Sequence, residues 1–137
     1  MTTFILIVFA TGLVLHGASC SPAGGPDELD ELGTVDMVIK DQAFRLWVAD
    51  SFFEHSRGLM EVSADRMAPL PDGTERGMIF LFDHEQERSF WMLWHNQYPS
   101  MQPIRIAIEV NAGVFRRIGL NEGDALAIPS SLLKREP

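Results

Sequence analysis

A chain of 137 residues has room for one domain, and 46% hydrophobic against 22% charged residues is ordinary globular composition. The net charge of −8 argues against nucleic-acid binding. That charge is uneven: five of the nineteen acids, Asp27, Glu28, Asp30, Glu31 and Asp36, share a stretch without Lys or Arg, and the rest of the chain is close to balanced.

Phe4 to Leu15 (FILIVFATGLVL) is an uncharged apolar run, short for a membrane span and suited to a signal h-region. The small residues Gly17, Ala18 and Ser19 lead to Cys20, the only cysteine, which has no partner for an internal disulfide. GASC resembles a bacterial lipoprotein cleavage site, with Cys20 as the lipidation position. Gly17 stands where such sites usually carry Leu, and MTTF lacks a basic residue. Ordinary signal cleavage nearby and an uncleaved anchor stay open as alternatives. Each implies export to the periplasm or cell envelope, and lipidation implies membrane attachment through Cys20.

Residues 1–20 are therefore read as signal and 21–36 (SPAGGPDELDELGTVD) as an acidic, flexible tether, with a short helix at DELDEL as the competing reading. A β-rich domain is expected over 37–129 and a polar tail over 130–137. Val38 to Ala49 alternates on both sides of Lys40-Asp41-Gln42, which predicts a hairpin with Phe44, Leu46 and Val48 on one face and Arg45 and Trp47 on the other. Ser51 and Glu54 have capping-box spacing and Gly58 is a C-terminal stop, so Phe52 to Arg57 is expected to be helical.

Pro69, Pro71 and Asp72-Gly73 mark Val62 to Arg76 as a loop. Gly77 to Phe82 (GMIFLF) and Arg88 to Trp94 read as strands around the polar turn DHEQE, and an antiparallel hairpin is expected. In Ile104 to Val110 the isoleucines and Val110 face one way, with Arg105, Ala107 and Glu109 the other. Ala112 to Ile118 reads as a short helix with Asn111 as N-cap and Gly119 as C-cap, and Ala125 to Ile128 as a last strand. The sum is a single, mainly β domain with two short helices, drawn as a small antiparallel barrel or jelly-roll-like sandwich.

Five signatures follow one another in order: RGLM (57–60), GMIFLF (77–82), SFWM (89–92), IEVNAG (108–113) and RIGLNEGD (117–124). Together they resemble the domain of unknown function 192 family of bacterial and archaeal proteins. The resemblance covers about Val38 to Ile128. It implies a small, mostly β, often exported domain and carries no established activity. The chain departs from the pattern after Met92, where about one β-hairpin is absent and LWHNQYPSMQP takes its place. That departure leaves either a differently closed sheet or an open edge through which the chain would oligomerise.

The chemistry-bearing residues form few patterns. Met60, Met67, Met78, Met92 and Met101 lack the short regular spacing of a thioether copper site, and core packing is the better reading. His16, His55, His84 and His95 form no HxxxH or HExxH, so no metal site and no cofactor are expected. There is no GxSxG and no glycine-rich phosphate loop. The acids of DHEQE are read as a solvated turn rather than a glycosidase pair.

Ser89, Trp91 and Leu93 share one strand face, opposite Phe90 and Met92. If the latter pack inward, Trp91 is outward, where an indole beside Arg57 or Arg88 suits a sugar ring or planar ligand; cover by another element is the competing reading. Arg57, Ser89 and Trp91 are the ligand-binding candidates, with no catalytic residue assigned. The expected function is a non-enzymatic binding or accessory module at the cell envelope, with a glycan or other envelope ligand. An enzyme acting on an envelope polymer, and a family member that lost its site with the missing hairpin, are the alternatives.

Overall fold

The computed structural model describes residues 5–10, 28–60, 62–92 and 96–133. Its strands are β1 (Ile5–Ala10), β2 (Thr34–Ile39), β3 (Gln42–Ala49), β4 (Glu75–Gln86), β5 (Ser89–Met92), β6 (Asn96–Pro99) and β7 (Ile104–Asn111). Four short helices, α1 (Phe52–Arg57), α2 (Ala64–Met67), α3 (Val114–Arg117) and α4 (Ser130–Leu133), and a 3-10 turn at Glu28–Glu31 complete the elements. The protein is mainly β, as the patterning predicts.

The β2–β3 hairpin turns at Lys40 and Asp41, both with positive φ (49° and 65°). That is the two-residue turn whose twist matches the flanking strands. β3 then pairs with β4 in parallel, Phe44 opposite Glu75 and Ala49 opposite Phe80. Parallel pairing needs a long crossover, and here the connection carries α1 and α2.

β4 pairs on its other side with β7, antiparallel, so the mixed core sheet runs β7-β4-β3-β2, with β1 along the outer edge of β7 in parallel. The sheet is open, not the closed barrel expected. The physical reason is the parallel β3–β4 step, which makes the sheet mixed instead of a meander that curls back on itself.

The expected pairing of GMIFLF with RSFWM is also corrected. GMIFLF lies centrally between β3 and β7, where a continuous apolar run belongs because both faces are covered. RSFWM instead turns back on NQYP: Ser89 is opposite Pro99 and Met92 opposite Asn96 in a separate two-stranded sheet. Arg88 and Ser100 tie the base of this β5–β6 hairpin, with the Ser100 N–H donating to the Arg88 carbonyl (2.7 Å) and the Arg88 N–H to Ser100 Oγ (3.1 Å).

Alternation sorts side chains to the two faces of the core sheet. On one face Phe44, Leu46 and Val48 of β3 meet Ile79 and Leu81 of β4 and Ile106, Ile108 and Val110 of β7, under Val114 and Phe115 of α3. Leu126 and Ile128 pack on this cluster but form no strand, and Leu132 of α4 adds to it from the segment read as a polar tail. On the other face Trp47 and Ala49, Met78, Phe80 and Phe82, Ile104 and Ala107 are covered by Leu29 and Met67, with Leu32, Leu59 and Val62 at the margin. Ile104 changes face relative to Ile106 because the β4–β7 register shifts between Leu81 and Gln86, as an irregularity of this kind re-aims side chains.

The segment read as a tether contributes structure from Glu28 onward, since Leu29 is buried and Asp30 accepts from Arg66 Nη2 at 2.5 Å. α3 is shorter than expected, with Gly113 (φ 81°) as its N-cap. Asn111 stays in β7 and uses its amide to donate to the Met67 carbonyl (2.7 Å), pinning α2 to the sheet. Met67 and Met78 are core residues, whereas Met60 and Met101 are exposed. Met92, Trp94 and His95 have side chains outside the described set, as does Cys20 with the rest of the expected signal junction.

Candidate functional site

A cavity of about 280 Å³ opens where α1, β4, β7 and the start of β5 meet. α1 is placed there by the capping box read in the sequence. Ser51 Oγ accepts from the Glu54 N–H (3.4 Å), and Glu54 Oε2 accepts from the N–H groups of Asp50 (2.8 Å) and Ser51 (2.9 Å). The helix is held to the sheet by His55, whose Nε2 meets the Ala49 carbonyl at 3.1 Å and whose ring packs on Phe82, centroids 4.7 Å apart.

Gly58 ends the helix with φ 53° and ψ −137°, its N–H donating to the Glu54 carbonyl. That backbone region is close to glycine-only. It lets the chain turn down onto the sheet, where the Leu59 N–H points at Glu109 Oε2 (3.4 Å). From the sheet come Phe80 and Phe82 of β4 and Ala107, Ile108 and Glu109 of β7; Arg88 and Ser89 come from the approach to β5.

The electrostatics of the cavity are unbalanced. Burial pushes the Glu109 carboxyl above the usual carboxylate range, opposed by the Leu59 N–H. No cation is paired with it among the described residues, although Arg57 and Arg88 line the same cavity. The Arg88 guanidinium stacks over Phe82, 4.6 Å from the ring centroid, and its Nε is buried with no hydrogen-bond partner among the described residues. Burial likewise holds His55 below the usual imidazole range, against the hydrogen bond to Ala49 and with the Arg88 charge adding to the lowering. A neutral His55 therefore serves as the fastener of α1.

Of the three residues singled out from sequence, Arg57 and Ser89 both line this cavity, while the Trp91 side chain lies outside the described set. Glu109, His55, Phe80 and Phe82 were not anticipated as site residues. The signal for Glu109 was its place one pleat from Ala107, a small residue in the row opposite the isoleucines. Ala107 is buried because α1 and the loop after it cover that row.

A second, smaller depression of about 180 Å³ gathers Arg45, Arg66 and Arg76 around Trp47, with Asp30 on its rim. Its cations are engaged: Arg45 with Asp36 (2.7 Å), Arg66 with Asp30, and Arg76 Nη1 donating to the Arg66 carbonyl (2.8 Å).

An open mixed sheet with short helices on both faces, and a cavity under the first of them, defines a small β-rich domain of one recognisable class. Residues 35–95 match the DUF192 family, described as "Uncharacterized ACR". The match contains RGLM, GMIFLF and SFWM and stops at the break after SFWM. No curated protein matches the chain.

Two solved structures share the fold. One, described as a candidate transcription regulator from Sinorhizobium meliloti 1021, is 22% identical at a TM-score of 0.54, covering 63% of this chain and 82% of its own. The other, a protein of unknown function from Novosphingobium aromaticivorans DSM 12444, is 18% identical at a TM-score of 0.53, covering 77% of this chain and 100% of its own. At those identities the likeness speaks to architecture alone.

Proposed function

We propose that the chain is a non-enzymatic binding or accessory module of the cell envelope, and that its ligand site is the cavity beneath α1. One observation carries the reading. Signatures far apart in sequence meet around that cavity: Arg57 to Met60 of RGLM, Phe80 and Phe82 of GMIFLF, Ser89 of SFWM, and Ile108 and Glu109 of IEVNAG. Concave, largely apolar sites with a few converging polar groups are the usual form of small-ligand sites.

Export rests on FILIVFATGLVL, and membrane attachment on lipidation of Cys20. A thermal-shift screen of the full chain against peptidoglycan fragments, monosaccharides, amino acids and metal ions tests the binding reading. Stabilisation by at least one class, abolished by Glu109→Gln, is expected by linkage. No shift with any class at millimolar ligand contradicts it.

A second reading, an enzyme acting on an envelope polymer, is favoured by one feature: a partly buried glutamic acid with a raised pKa is how a general acid is built. Against it, the cavity offers one carboxylate where glycoside hydrolysis takes two, and His55 is engaged with a backbone carbonyl. Turnover of a chromogenic glycan, lost in Glu109→Gln, would favour the enzyme.

A further inference from the structure

We infer that the cavity beneath α1 takes a small zwitterion of the free amino-acid type, its ammonium against Glu109, its carboxylate against Arg88 and its apolar body against Phe80 and Phe82. The inference deepens the binding reading and rests on it. Two polar groups in one cavity are left incomplete among the described residues.

Among the described residues the Glu109 carboxylate has a single long hydrogen bond, from Leu59 at 3.4 Å. A buried anion without a paired cation is costly, and a primary ammonium supplies both the charge and several N–H donors. Arg88 presents the opposite need. Its Nε is buried and lacks an acceptor among the described residues, while stacking on Phe82 fixes the plane of the guanidinium. A guanidinium so held is suited to a planar carboxylate, which it meets with paired N–H donors.

The two groups do not satisfy each other: no ion pair joins Arg88 to Glu109 among the described residues. Both line the same cavity, so one ligand completes both only if it carries opposite charges at its two ends. Size sets the third limit. Ligand pockets run to roughly 300–1,000 Å³, and about 280 Å³ is at the small end, which suits a single amino acid better than an oligomer. The wall offered between the polar ends is aromatic and aliphatic, from Phe80, Phe82, Ala107 and Ile108, and it suits an uncharged side chain.

Isothermal titration of the full chain tests this with L- and D-phenylalanine and L- and D-leucine, against N-acetyl-L-phenylalanine, L-phenylalaninamide and N-acetylglucosamine. At least one free amino acid is expected to bind roughly tenfold or more tighter than both blocked analogues, the scale of one lost charge-assisted contact. Glu109→Gln is expected to erase the preference over the N-acetyl form, and Arg88→Gln the preference over the amide. Far-UV circular dichroism of each variant verifies that it folds, and Glu122→Gln, an exposed charge outside the cavity, is expected to keep both preferences.

Equal binding of free and blocked forms overturns the zwitterion inference. So does binding of N-acetylglucosamine alone, abolished by Glu109→Gln, but that result leaves the cavity standing as a binding site. No binding by any of these probes overturns the inference, and the wider screen then decides whether the binding reading fails with it.

Discussion

Gly58 ends helix α1 directly on Glu109: a β-carbon at Gly58 would stand 3.3 Å from Glu109 Oε2 and 3.3 Å from Phe80 Cζ. The turn that closes the helix thus lies over the half-buried carboxylate, and the glycine of RGLM and the glutamate of IEVNAG are two halves of one contact. Gly58→Ala meets a backbone with φ 53° as well as this crowding. A loss of about 1–3 kcal/mol is expected by urea denaturation, together with weaker ligand binding. A variant as stable as the parent would mean that the helix end is not fixed by this contact.

Gly77 has a different reason to be glycine. A β-carbon there would stand 2.3 Å from the Glu109 backbone oxygen and 2.8 Å from Val110 Cγ1, so β4 and β7 must part to admit it. Gly77→Ala is expected to destabilise by about 2 kcal/mol or more, or to prevent soluble expression. Unchanged stability in denaturant would contradict the close approach of these strands.

Glu75 is almost fully buried, and Arg117 of α3 reaches it with Nη2. Removing the arginine leaves a buried anion without its partner, a larger loss than the net worth of the pair. Arg117→Ala is expected to cost about 2 kcal/mol, and the double variant Glu75→Gln, Arg117→Ala to recover part of it. A thermodynamic double-mutant cycle measures the coupling; a coupling near zero would contradict the role given to this pair.

At the cavity, acid acts on stability through two groups of opposite sign. The pKa of His55 is lowered by burial from 6.5, so the unfolded chain takes the proton first as pH falls below about 6.5. The stability linked to His55 is present above 6.5 and is lost as pH falls towards its folded value. Phe80 and Phe82 pack on its ring, and Arg88 and Glu54 are the charges acting on it. Glu109, raised from 4.5, does the reverse: its ionisation weakens the fold as pH climbs past 4.5. Comparing each parent-to-variant difference across pH 4 to 7.5 isolates the terms. His55→Gln is expected to reduce the acid loss below 6.5, and Glu109→Gln to become more favourable towards neutral pH. Parallel pH curves for parent and variants would contradict both assignments.

Much of the local structure was legible in the sequence because its causes are local. The capping box of Ser51 and Glu54, the stop at Gly58, the Lys40-Asp41 turn and the alternation of Phe44, Leu46 and Val48 all follow from neighbours within a few residues. Pairing was not legible. GMIFLF announces a strand covered on both faces, but nothing in it says that β3 lies parallel on one side and β7 antiparallel on the other.

The site escaped for the same reason. Period two placed Glu109 on the face opposite the isoleucines, and only the path of the chain after α1 shows that this face is covered. Arg57 and Ser89 were found through residue type and motif position. The cavity that unites them comes from contacts some fifty residues apart in sequence, as between Leu59 and Glu109.

The proposed ligand site lies beneath α1, against Glu109 and Arg88. Titration of the ¹⁵N-labelled full chain with its best-binding ligand, followed through backbone amide shifts, tests it most directly. Saturable shifts concentrated at Gly58, Leu59, Phe82, Arg88, Ser89 and Glu109, lost in Glu109→Gln, are expected. Shifts centred instead on Arg45, Trp47 and Arg76, with the α1 cavity unmoved, would contradict it.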